Sequence, residues 1–257
     1  MPDLTAWLAA LEERHLANLT RAELTRALRA LSSVYVERRG KIAGGAALDG
    51  AGKRAAFALF YGPLHFLTIT EIVRALGADR WTFDTLLDLG CGTGTSGAAW
   101  ALACPAPPAI HGIDRNPWAV AEANHTYRDL GLNGAARVGD ITRLPLPRKP
   151  VSSTSAILLA YAVNEVSDTA RPALLDQLAA RAASGTSLLI VEPIARRMSG
   201  WWDEWTDRLA PLGGRAEEWR FPAILPPLLR DLAKGAGLQP RELTARTLSV
   251  APRRSSS

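Results

Sequence analysis

Seven residues, Asp88-Leu-Gly-Cys-Gly-Thr-Gly94, sit between the apolar run Thr85-Leu86-Leu87 and the segment Thr95-Ser-Gly-Ala-Ala-Trp-Ala-Leu102. The first flank reads as a buried parallel strand and the second as a helix, so the glycines occupy a strand-to-helix turn. There the backbone must fold sharply, and without Cβ atoms a ligand can approach the main-chain N–H groups. A turn of this kind opens a strand–helix–strand crossover. It commits the chain to a parallel sheet with helices on both faces.

The pattern downstream agrees. Candidate strands are Thr85–Leu89, Ile110–Asp114, Ala136–Asp140, Ala156–Tyr161 and Ser187–Glu192, and the helices between them are Thr95–Ala103, Pro117–Leu130 and Thr169–Ala183. Upstream the chain reads as helical. Leu4, Leu8 and Leu11 share one face, Thr20-Arg-Ala-Glu23 is a capping box, and Leu24, Leu28, Leu31 and Tyr35 follow at helical spacing. Gly40 to Gly52 reads as a linker, and Lys53 to Leu76 as a helix that Gly62-Pro63 breaks or kinks. Past Glu192, the segment Met198 to Arg220 holds four tryptophans, Ile224 to Ala236 is an apolar helix, and Gln239 to Ala251 supplies one strand or a tight pair. The expected organisation is a helical N-terminal extension or lid over 1–78, an α/β domain over 79–252 and a disordered tail over 253–257.

A chain of 257 residues suits one large α/β domain with a small appendage. No run of about 18 apolar residues suggests a membrane span, and no basic segment followed by an apolar stretch suggests a secretory signal. With two cysteines, Cys91 and Cys104, in no ligand pattern, neither a disulfide nor a metal site is expected, and a cytoplasmic location follows. The net charge of +5 permits an anionic partner without demanding one.

Acidic residues recur at the ends of successive strands: Asp88 opens the glycine turn, Asp114 ends the second strand, and Asp140 ends the third. In open α/β sheets ligands bind outside these ends. A carboxylate at the second suits paired ribose hydroxyls, and a residue at the third could accept from an exocyclic adenine amine. Gly92-Thr-Gly94-Thr-Ser-Gly97 also matches the dinucleotide fingerprint G-x-G-x-x-G, with Asp114 about 20 residues on. An NAD-dependent oxidoreductase is therefore a competitor. Against it stand the acidic entry at Asp88, which suits a positively charged ligand, and the long helical segment before the first strand.

Leu86-Leu-Asp-Leu-Gly-Cys-Gly-Thr-Gly94, Ile113-Asp114 and Gly139-Asp140 resemble the first three motifs of class I S-adenosylmethionine-dependent methyltransferases. The resemblance covers about Asp84 to Glu192. It implies a doubly wound, Rossmann-like, seven-stranded sheet, mostly parallel with its last strand antiparallel, and S-adenosylmethionine as cofactor. Gly90, Gly92 and Gly94 would line the amino-acid moiety, Asp114 would hold the ribose and Asp140 would contact the adenine. Asp88, Cys91, Arg115, Ile141 and Tyr161 complete the expected binding set. Ala56-Phe-Ala-Leu-Phe-Tyr-Gly-Pro63, Leu159-Ala-Tyr-Ala-Val-Asn-Glu165 and Ile190-Val-Glu-Pro193 resemble a narrower group, the small-ribosomal-subunit methyltransferase-like proteins known from mitochondria. That group's cysteine-rich segment is absent. The narrower likeness implies an rRNA methyltransferase-like ribosome assembly factor with a retained cofactor site.

In this fold the segment after the fourth strand faces the transferring methyl. Here it supplies Tyr161, Asn164 and Glu165 as acceptor-side candidates, with capping of the next helix as the structural alternative for the last two. It lacks the Asn-Pro-Pro-Tyr-type signature that grips planar amines. His65 is a candidate base if its helix folds over the pocket, although a lone histidine beside aromatics is more often a satisfied, partly buried side chain; Tyr61 is a candidate cover for the cofactor, although Phe57, Phe60 and Tyr61 read more readily as the helix's core stripe. Glu192 lies at the ligand edge or pairs with Arg196 or Arg197. Trp201 and Trp205 share a helical face that could stack an aromatic acceptor or pack in the core. The partner is a small-molecule acceptor, or rRNA and the ribosomal subunit if Arg38, Arg39, Lys53 and Arg54 cluster at the pocket mouth.

Overall fold

The computed structural model describes residues 4–37, 49–143, 154–194 and 200–252, with the side chains of 33–37 left aside. Arg38, Arg39, Arg196, Arg197, the Tyr35 side chain, most of the Gly40–Gly52 linker and the C-terminal tail lie outside the described residues.

Seven strands form one sheet: β1 (Thr85–Leu89), β2 (Ala109–Asp114), β3 (Gly134–Val138), β4 (Ser155–Ala160), β5 (Ser187–Glu192), β6 (Arg215–Pro222) and β7 (Glu242–Val250). Their order is β3-β2-β1-β4-β5-β7-β6. β1 to β5 pair in parallel, while β7 runs antiparallel to both β5 and β6. β4 and β5 lie in the middle and are buried at every position, which is why they read as unbroken apolar runs. The chain winds outward from β1 through β2 to β3, then crosses back to β4. The ends of β1 therefore sit where the winding reverses, and the connections on either side diverge into a cleft.

Two strand expectations change. The third strand stops at Val138, so Asp140 stands in the following turn, where its Oδ1 accepts the Thr142 N–H at 2.9 Å and replaces a strand partner. The tryptophan-rich segment holds a strand as well as a helix. β6 is a sheet edge whose exposed face carries Ala216, Glu218, Arg220 and Pro222, and its alternation was masked by the charges there.

The helices are α1 (Leu4–Leu16), α2 (Arg21–Glu37), α3 (Ala51–Ala56), α4 (Gly62–Leu76), α5 (Thr95–Ala103), α6 (Pro117–Asp129), α7 (Arg171–Ala183), α8 (Trp201–Leu209) and α9 (Pro227–Ala236). The Thr20–Glu23 capping box forms, with the Glu23 carboxylate accepting the Thr20 N–H at 2.8 Å. Gly62-Pro63 does not break its helix. A π-helical turn, Phe57–Tyr61, joins α3 to α4, and the Gly62 N–H reaches back five residues to the Phe57 carbonyl. Proline has no N–H to donate and its ring crowds the preceding turn; the wider turn absorbs both problems.

By length and composition the continuous helix Ala51–Leu76 is one that could cross a membrane, which a search for unbroken apolar runs overlooks. Here its Phe66, Ile69, Ile72 and Val73 are buried in the main core. That core covers one sheet face and contains Trp7, Leu11, Leu24 and Leu28 of α1 and α2 together with Leu86, Trp100 and Leu189. A boundary at residue 78 is thus a division of the sequence, and the packing runs across it. The other face is closed by α7 and α8.

Candidate cofactor and acceptor site

The glycine turn is built on left-handed backbone: φ is +73° at Gly90, +53° at Gly92 and +75° at Gly94. The three glycines serve different ends. A Cβ at Gly90 would stand 2.6 Å from the Cβ of Ala162, and one at Gly94 would meet Ala123 and Tyr127 within 3 Å. These two let the turn pack against its neighbours. A Cβ at Gly92 would meet nothing within 4 Å, so that position faces open space where a ligand fits. The Gly90 and Cys91 N–H groups both donate to the Ile113 carbonyl, at 2.8 and 3.0 Å, which docks the turn onto the end of β2.

Asp114, half-buried at that end, accepts the Gly92 N–H at 2.9 Å through Oδ2 and the Asn116 N–H at 2.8 Å through Oδ1. Each oxygen keeps a second lone pair for a ribose hydroxyl. Asn116 caps α6 by accepting the Trp118 and Ala119 N–H groups, and the Asn-Pro pair at 116–117 is the sequence signal that marks this cap. Asp140 accepts from the Thr142 N–H and hydroxyl, and these bonds hold its carboxyl below the usual range. Ile141 is buried against Leu89 and Ile113, and Arg115 is exposed beside the cleft.

Two expected ligand contacts point elsewhere. Asp88 is 0% exposed, and its Oδ2 accepts the Gly97 N–H at 3.1 Å. Its side chain braces the underside of the turn instead of facing a ligand, and burial pushes its carboxyl up to about 7. The Cys91 side chain also turns inward, toward Gly112 and Tyr127, and burial raises its thiol. Gly97, third in the dinucleotide pattern, is glycine because a Cβ there would lie 2.5 Å from the Asp88 carboxylate. Its place in the pattern therefore needs no dinucleotide.

The residues expected on the acceptor side follow β4. Tyr161 has φ +60°, the only positive value on a non-glycine among the described residues, and its N–H donates to the Val191 carbonyl at 2.8 Å. A bulky residue held left-handed is a strained position that its surroundings must hold in place. Its ring stacks on His65, with centroids 4.0 Å apart and planes inclined 20°. Thr68, one turn further along α4, lies within hydrogen-bonding reach of the Tyr161 phenol; nothing in the sequence signals that contact. Desolvation raises the phenol and pushes the imidazole down to about 4, so both stay neutral at pH 7. The His65 ring touches the cleft, and neither ring nitrogen has a hydrogen-bond partner among the described residues. Phe57 and Tyr61 of the π-helical turn flank it at 6.1 and 6.5 Å. A Cβ at Gly62 would stand 3.3 Å from both Thr93 and Thr95, which seats the long helix directly on the glycine turn.

Asn164 is fully engaged and caps no helix. Its Nδ2 donates to Glu192 at 2.7 Å, and its Oδ1 accepts the Trp201 indole N–H at 2.9 Å. Glu192, 1% exposed, also accepts the Val163 N–H at 2.8 Å and the Asn164 N–H at 3.3 Å. Burial pushes its carboxyl up to about 7. Trp201, Trp202 and Trp205 are buried in the second core, with Trp201 and Trp205 4.9 Å apart, so no face of Trp205 is open to an acceptor. Glu165 is exposed.

Residues 86–185 match the family model described as a methyltransferase domain. Among curated proteins none matches the chain. Among solved structures, a protein from Nostoc punctiforme PCC 73102 provisionally assigned as an O-methyltransferase is 13% identical, with a TM-score of 0.53 over 88% of this chain and 69% of its own. The magnesium protoporphyrin IX methyltransferase of Synechocystis PCC 6803, crystallised with S-adenosylmethionine, is 15% identical, with a TM-score of 0.47 over 90% of this chain and 97% of its own. A methyltransferase from Aquifex aeolicus dependent on the same cofactor is 17% identical, with a TM-score of 0.47 over 72% and 92% of the two chains.

Proposed function

We propose that this chain, which carries an S-adenosylmethionine-dependent methyltransferase domain of the class I fold, methylates a small-molecule acceptor held between α4 and the turn after β4. The observation that carries this reading is the His65–Tyr161 stack, 4.0 Å between centroids, which walls one side of the cleft with flat, neutral rings. The charged groups nearby are the carboxylates Asp114, Asp140 and Glu165, with Arg115 and Arg143 beside Asp140. Flat neutral rings suit a small polar or aromatic molecule.

The cofactor, when bound, supplies an electrophilic methyl group. The open face at Gly92 would admit it, Asp114 would hold the ribose, and Asp140 and Ile141 would hold the adenine. Methyl transfer needs alignment above all, and a hydroxyl acceptor also needs somewhere to leave its proton. His65 offers that hydroxyl a hydrogen-bond acceptor: its imidazole is neutral and stacked on Tyr161, and burial keeps it a weak base. Tyr161, pinned by the Val191 carbonyl and near Thr68, keeps that imidazole oriented.

The narrower ribosomal reading predicts RNA as the acceptor. Incubation with methyl-labelled S-adenosylmethionine, supplied separately with a small-metabolite fraction and with ribosomal subunits, decides between them. Label in the metabolite fraction, lost in His65→Ala, supports the proposal. Label in rRNA overturns it.

A further inference from the structure

β6 closes one end of the sheet, and among the described residues no strand pairs with its outer side. Pro222 lies opposite Glu242 of β7, and one step on the Ala223 N–H donates to the Arg241 carbonyl at 2.9 Å. Hydrogen-bonded pairs alternate along an antiparallel ladder. The odd-numbered residues of β6 therefore direct their backbone groups to β7, and the even-numbered ones direct theirs outward. Pro222 falls in the outward phase, where its missing N–H removes no bond to β7. The N–H and C=O groups of Ala216, Glu218 and Arg220 thus line an open edge.

Charges on an edge strand ordinarily keep other strands away. Here they differ in sign, Glu218 and Arg220, with one residue between them. Two copies of β6 related by a two-fold axis pair antiparallel, with the axis on one residue and side chains of the same face opposite each other. An axis at Trp219 sets Glu218 opposite Arg220 of the second copy, and Arg220 opposite its Glu218. An axis at Glu217, Glu218 or Arg220 sets that charged residue opposite its own copy. An axis at Phe221 puts Pro222 where the ladder needs an N–H. Of the registers that align most of the strand, one alone joins unlike charges and keeps the outward bonds.

That register also suits the other face. The two Trp219 side chains meet at a position without ladder bonds, where opposite side chains stand closest. Each indole is stacked on its own Phe221, 5.8 Å away with planes 11° apart, and its Nε1 donates to Thr247 at 2.9 Å. Both rings are only half-buried within one chain, so they keep apolar surface to cover. Arg220 meets Glu242 at 3.2 Å, and its guanidinium has further donors for a second carboxylate. Ile224, two residues past the strand, is 84% exposed and adds uncovered apolar surface beside this edge.

We propose that β6 is a homodimer interface, in which two copies pair edge to edge about Trp219 and form one continuous sheet. β7, β5 and β4 separate this edge from β1, so the cleft of each copy lies away from the seam.

The test is sedimentation equilibrium of the full chain over about 1–200 µM. A reversible monomer–dimer equilibrium is expected. Glu218→Arg sets arginines opposite each other across the seam, and Arg220→Glu sets glutamates opposite each other. Each should weaken the dimer at least about 10-fold. Both side chains are exposed, so circular dichroism should show each variant folded. An equimolar mixture of the two single variants restores arginine against glutamate at both contacts and should dimerise like the wild type, as should the double variant. A wild type that stays monomeric throughout, a dimer that survives either single variant, or a mixture that stays monomeric would overturn the proposal.

Discussion

The Gly92 N–H donates to the Asp114 carboxylate at 2.9 Å, so the glycine turn after β1 and the acid at the end of β2 are joined by a direct bond. A change at either residue should therefore be felt at the other.

Asp114→Ala removes both the ribose acceptors and the brace on the turn. Affinity for S-adenosylmethionine should fall by about 1–3 kcal/mol, the range for charge-assisted hydrogen bonds. Calorimetry checks this, and unchanged affinity would count against Asp114 as the ribose anchor.

The glycines at 92 and 97 should respond in opposite ways. Gly92→Val meets no protein atom but fills ligand space and strains a left-handed backbone, so the variant should fold and lose cofactor binding. Gly97→Ala drives a methyl to 2.5 Å from the Asp88 carboxylate and should lower unfolding stability by about 1–3 kcal/mol. Denaturant melts with and without cofactor separate the two effects.

Asp88 titrates at about 7 in the fold, against 3.8 for the free residue. Between those values the folded state binds more protons than the unfolded state, so this residue makes stability fall as pH rises through that window. Asp88→Asn keeps an acceptor for the Gly97 N–H and removes the ionisation. Its melting temperature relative to wild type should climb from about pH 4 to about pH 8, and a constant difference would show that Asp88 is ionised throughout.

His65 behaves with the opposite sign. Its folded value of about 4 lies below the free value of 6.5, so the unfolded chain takes up the proton first and stability drops as pH falls through that interval. His65→Phe keeps the stack on Tyr161 and should flatten that acid-side slope. NMR titration of the imidazole should show it neutral down to about pH 5, and a midpoint near 6.5 would remove it as a permanently neutral acceptor.

The N-terminal helices are tied down by charge as well as by core. Arg14 of α1 donates to Glu122 of α6 at 2.8 Å and to Asp129 at 3.1 Å, and the His15 Nε2 lies 3.1 Å from Glu122. Burial works to raise the Glu122 carboxyl, but bonds to His15 and Arg14 prevail and hold it below its ordinary value. Its contribution is therefore present above the unfolded carboxylate range and is lost as pH falls through its lowered value. Arg14→Ala should loosen α1 at neutral pH, seen as faster amide exchange in residues 4–16, at a cost of about 1–2 kcal/mol.

What could be read directly from the chain is what depends on neighbours in sequence. The glycine run after Leu86-Leu87 announces a turn whose φ values only glycine adopts freely, and the unbroken apolar runs at 155–160 and 187–192 announce strands buried on both faces. Asp114 at a strand end follows from the same local pattern. β6 was hidden because an edge strand carries charge on its open face, leaving Trp219 and Phe221 as the alternating signal. The continuity of Ala51–Leu76 through Pro63 depends on a π-helical turn that propensity does not foretell.

Direction was decided only in three dimensions. Asp88 and Asp114 both end strands, yet one is sealed beneath α5 and the other opens on the cleft, because pleating sends side chains to one face or the other and the packed helix determines which face stays wet. Asn164 was legible as a polar residue in the right segment. Its partners are Glu192 and Trp201, distant in sequence and brought together by the β4–β5 pairing and the packing of α8. His65 meets Tyr161 for the same reason. Such contacts arise from burying apolar surface along whole elements, and no local rule encodes which polar groups that burial leaves facing one another.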